Sequence, residues 1–127
     1  MTLNEEQRQN REFSEASGSP LLKFSALAYI AEAFGGASTI ILIVLEEANG
    51  GLRFLVDPDW RAVVQAKDKM YVESLLSDFL ERTNEQPATL FKQLSSLAVG
   101  PLVTQETGEQ ISNHPLLLEL SSRFVQL

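Results

Sequence analysis

The 127-residue chain has no cysteine, and histidine occurs once, at position 114. Without cysteine there are no disulfides, no thiolate nucleophiles, and no Cys-ligated zinc or iron–sulfur clusters. A lone His114 excludes a multi-histidine metal centre within one chain, so no metal and no cofactor are expected. Basic residues are also scarce, with 10 Lys plus Arg against 17 Asp plus Glu, a formal charge of −7. Nucleic-acid binding needs cations to displace the counterions around phosphates, so a nucleic-acid partner is not expected. Phosphate-cradling motifs are missing too: neither Gly-x-x-x-x-Gly-Lys-Ser/Thr nor Gly-x-Gly-x-x-Gly occurs. There is likewise no Gly-x-Ser-x-Gly elbow and no Ser-x-x-Lys.

What is present is the composition of an ordinary globular chain, with 44% hydrophobic residues. The length suits one domain. Residues 1–20 stand apart as a polar arm: they hold Glu5, Glu6, Glu12, Glu15, Arg8 and Arg11, with only Leu3 and Phe13 large and apolar. Asn4 and Gln7 have the spacing of a capping box, and Ser17-Gly18-Ser19-Pro20 reads as a linker. No basic stretch followed by an apolar run appears there, so a cytoplasmic location is expected. Residues 21–127 are expected to form a single α+β domain.

From Phe24 to Leu45 the only charged residue is Glu32, a length that could span a bilayer on count alone. A carboxylate near the middle costs roughly 2.5–3.5 kcal/mol there, and Gly35-Gly36 divides the run. No integral membrane association is therefore expected. Leu21, Phe24, Leu27 or Ala28, Ala31 and Phe34 recur at helical spacing, which predicts a helix before the glycines. Thr39–Leu45 is rich in β-branched residues and predicts a strand buried on both faces.

Asn49-Gly50 predicts a type I′ hairpin turn into a return strand, Leu52–Val56, which Asp57-Pro58-Asp59 ends. Residues 61–64 are compatible with either a helical turn or a short strand. An amphipathic helix follows over about 68–82, its stripe being Val72, Leu75, Leu76, Phe79 and Leu80. Pro87 opens another, with Leu90, Phe91, Leu94, Leu97 and Ala98 on one side, before Gly100-Pro101 stops it. Leu102–Glu106 reads as a third strand. A last helix starts at Asn113-His114-Pro115 and aligns Leu117, Leu120, Phe124 and Leu127. The expected fold is a small antiparallel sheet of about three strands with three to four packed helices.

Candidate chemistry is thin. Asp57, Asp59, Trp60 and Arg61 form the densest polar cluster around an aromatic ring, where two carboxylates could offer oxygen ligands, although the same residues suit a turn and a helix cap. Glu32 is a carboxylate among apolar neighbours, suited either to the outer face of its helix or to a buried acid with a raised pKa serving as a base. His114 at a helix start suits capping, or service to a nucleophile brought near in space. These six residues are the weak ligand-site candidates. Ile41, Ile43 and Leu45 are the candidate interface, because a three-stranded sheet has too few helices to cover both faces. The expected function is a non-catalytic interaction or regulatory module that buries apolar surface, as a homodimer and with a protein partner. The alternative is a small-molecule-binding protein or enzyme using the carboxylates Glu32, Asp57 and Asp59.

Overall fold

The computed structural model describes residues 21–31 and 37–127. The polar arm of residues 1–20, its capping box, Glu32 and the Gly35-Gly36 break lie outside the described residues. Six strands are described: β1 (Leu21–Ala31), β2 (Ala37–Glu47), β3 (Leu52–Val56), β4 (Ala98–Val99), β5 (Leu102–Gly108) and β6 (Val125–Gln126). They form one antiparallel sheet in the order β4-β5-β1-β2-β3-β6. The helices are α1 (Trp60–Val63), α2 (Lys69–Thr83), α3 (Pro87–Leu94) and α4 (Pro115–Arg123), with 3₁₀ turns at Ala66–Asp68 and Ile111–Asn113. None of these helices is long and apolar enough to cross a membrane.

The α+β class holds, but the sheet is twice the expected size. The segment expected to be a helix before the glycines is the strand β1. Its residues 24–29 are all buried, Phe24 and Ala26 packing to one side of the sheet and Leu27 and Tyr29 to the other. A strand covered on both faces needs no polar positions, so its period of two is invisible and small residues can mimic helical spacing. β4 and β6 hold two residues each, too few to carry a pattern.

Helices α2 and α3 cover one face, where Leu27, Tyr29, Leu42, Val44, Phe54 and Val56 meet Val72, Leu76, Phe79, Leu90 and Leu94. The second face is covered by α4 and the turn before it, which place Ile111, Leu117 and Phe124 on Phe24, Ala26, Ile43 and Leu45. The result is a three-layer stack with a core on either side of the sheet. Register keeps each set on its own side: Val44 opposes Phe54, and Ile43 opposes Leu55.

The β2–β3 hairpin forms where expected, with a different turn. The Gly50 N–H donates to the Glu47 carbonyl, and the Glu47 N–H to the Gly51 carbonyl. Three residues therefore form the loop, and Gly50 takes the left-handed conformation at φ 86° that follows a type I turn. Across this hairpin Arg53 pairs with Glu47.

Polar groups inside the stack are matched. Thr104 on β5 donates its hydroxyl to the Leu94 carbonyl and accepts from the Leu97 N–H, each at 2.7 Å. This ties the end of α3 to the sheet and satisfies a helix carbonyl that has no partner within the helix. The buried Tyr29 hydroxyl donates to Asp68 at 2.6 Å and accepts from the Gln65 N–H at 3.2 Å, fixing the turn that leads into α2.

Candidate functional site

The acidic turn after β3 serves the fold. The Asp59 N–H donates to the Asp57 carboxylate at 2.8 Å, and the Trp60 N–H donates to the Asp57 carbonyl at 3.0 Å. This side-chain-stabilised turn aims the chain into α1, with Asp59 at the cap position but without a side-chain cap bond. Trp60 is buried in the helix-side core. Arg61 lies over its ring, 4.5 Å from the centroid, and pairs with Glu73 at 2.7 Å. The two side chains therefore line a groove instead of framing a reactive centre.

His114 sits on the opposite face of the sheet, immediately before α4, and makes no side-chain cap bond. Its ring packs edge-on to Phe24, centroids 4.9 Å apart, and its Nδ1 lies 3.6 Å from a Glu106 carboxylate oxygen. The sheet thus divides His114 from Trp60 and the turn that carries it. Among the described residues no group of three His, Asp or Glu is placed to hold a metal ion.

Ile41, Ile43 and Leu45 are 0, 0 and 2% exposed within one chain. Ile43 and Leu45 are covered by α4 and the turn before it, and Ile41 joins the cluster beneath α2 and α3, so these side chains are buried within one chain. A three-stranded sheet lacks that cover, and the last helix of the six-stranded one supplies it over Ile43 and Leu45.

Two surface features lie elsewhere. The first is the β6 edge and the groove beside it. Val125, Leu127 and Leu80 are 49, 37 and 39% exposed. Leu127 joins Leu76, Leu80 and the Trp60–Arg61 step in lining a groove of about 200 Å³. Leu80 and Leu127 were legible as ends of apolar stripes, but strand β6 was not. The second is a cleft of about 230 Å³ between β2, β5 and the start of α4, lined by Ile40, Glu106, His114 and Leu117 among others. Asn113, His114, Pro115 and Leu117 were legible as the last helix and its start, with only His114 a candidate site residue, whereas Ile40 and Glu106 are brought to the cleft by strand pairing. No family model, curated protein or solved structure matches this chain.

Proposed function

We propose that the chain is a non-catalytic interaction module that buries apolar surface, and that the β6 edge is the surface it uses. The observation that carries this reading is the contrast between the two sheet edges. Strand β4 is followed by Gly100-Pro101, and beyond its short span β5 carries the exposed Gln105 and Glu106. Proline and charge are the devices that keep an edge from pairing. The stretch Phe124–Leu127 has no proline and no charged side chain, and presents both Val125 and Leu127 where the β4 edge presents Val99 alone.

The occupant we assign is a second copy. The Leu127 N–H donates to the Phe54 carbonyl, so by strand alternation the N–H and C=O of Gln126 point away from β3. A two-fold axis through Gln126 lets two copies exchange both bonds. The same axis sets Val125 of each copy beside Leu127 of the other, on the side of the sheet where Leu80 stands. Although the chain carries −7, the charged lining of the adjoining groove is the balanced pair Arg61 and Glu73. The side chains of the groove therefore add no local like-charge repulsion between two copies.

Gln126→Pro separates edge pairing from folding. It removes only the outward donor and leaves the β3–β6 bonds in place. Sedimentation equilibrium across micromolar concentrations is expected to give a dimer for the parent chain and a monomer for the variant. A parent chain of monomer mass throughout, or a variant dimerising equally well, overturns the reading.

A further inference from the structure

The cleft beside α4 is built by two irregularities in the sheet. The β1–β2 register shifts between Leu27 and Ala28, leaving Ile41 as an extra residue; the β1–β5 register shifts between Ala26 and Leu27, leaving Gln105 extra. Both bulges thus flank the same level of β1, one on each neighbouring strand. A bulge bends and overtwists its strand, and such features re-aim side chains at binding sites. Here the residues next to the bulges, Ile40 and Glu106, form two rims of the cleft. They pair with Ala28 and Ala26 of β1, whose small side chains leave the space between open.

The walls combine apolar surface with the amides Gln105 and Asn113 and one carboxylate. Ile40, Leu116 and Leu117 supply apolar surface, and Glu106 supplies a carboxylate that is 47% exposed. The 3.6 Å to the His114 Nδ1 is longer than a hydrogen bond, so the carboxylate keeps open acceptor positions. The other imidazole nitrogen faces Gly108, where an added Cβ would approach it to 3.1 Å. The volume of about 230 Å³ is enough for a short ligand. A chain charge of −7 draws cations toward it.

We infer that this cleft binds a cation on a short apolar stem, an amine or guanidine, with Glu106 as its counter-ion and Ile40 and Leu117 packing the stem. The same chemistry is offered by a free small amine and by an arginine side chain of a peptide. The test is a titration of the full-length chain with n-butylguanidinium, followed by amide chemical shifts. Saturable shifts are expected at Gln105, Glu106 and Leu117, with half-saturation at about 1–10 mM. Glu106→Gln is expected to weaken binding about five-fold, the upper range for an exposed ion pair, without changing the melting curve. Neutral n-butylurea on the parent chain is expected to bind more weakly by a similar factor, a comparison that needs no variant to fold. A Gly-Arg-Gly peptide binding more tightly than n-butylguanidinium identifies a protein source, and weaker peptide binding identifies a free amine. Absence of saturable shifts at the cleft, or equal affinity for the charged and neutral probes, overturns the inference.

Discussion

Gly108 is glycine because Phe24 occupies the space a side chain would need. A Cβ there would come within 2.5 Å of the Phe24 ring and 3.1 Å of the His114 imidazole. Phe24 is buried and packed among Ile43, Leu45, Ile111 and Leu117, so moving its ring disturbs this core. Gly108→Ala is therefore expected to cost about 1–3 kcal/mol, the range for overpacking a core, measurable by urea denaturation. Thr104 is the corresponding case for polar groups. Thr104→Val keeps the shape but strands the Leu97 N–H and leaves the Leu94 carbonyl without its bond. A loss of about 1–3 kcal/mol is expected in the same assay. A loss below about 0.5 kcal/mol would mean that water replaces the hydroxyl and that α3 is not tied to β5 in this way.

At the scale of elements, α4 decides whether the sheet has one covered face or two. Leu117 is its buried anchor, while Leu118 on the same helix is half-exposed. Leu117→Ala is expected to destabilise by about 2–5 kcal/mol, and Leu118→Ala by less than about 0.5 kcal/mol. Equal effects would mean that α4 does not seat on β2 and β3 as described. Ile43→Glu, which places a charge beneath this helix, is expected to unfold the chain instead of dissociating a dimer. The same element explains what the residues revealed before the fold was known. Strands β2, β3 and β5 and helices α2, α3 and α4 were legible because caps, prolines and apolar stripes mark them locally. Strand β1 was not, since cover on both faces erased its alternation, and β6 is defined only by the partner it joins. The candidate sites divide in the same way. His114 could be singled out as a lone imidazole, whereas Glu106 reaches it only through a bulge that no local pattern announces. The Asp57–Asp59 pair carried the densest polar signal, and its physical role is to turn the chain into α1.

At the scale of the whole fold, helices cover both faces of the sheet, and among the described residues the β6 edge has no strand beyond it. Exposed apolar side chains also stand at Met70, Leu116 and Leu118, and what sets Val125, Leu127 and Leu80 apart is that they lie at an unpaired strand edge. The most direct measurement is hydrogen exchange at the Gln126 amide as a function of protein concentration. In an isolated chain that N–H faces solvent, whereas in the proposed dimer it donates across the two-fold axis. Fast exchange is expected at low concentration, slowing as the concentration rises through the micromolar range, with the Leu127 amide, bonded to Phe54, protected throughout. Exchange at Gln126 that stays fast and independent of concentration would contradict the proposed dimer.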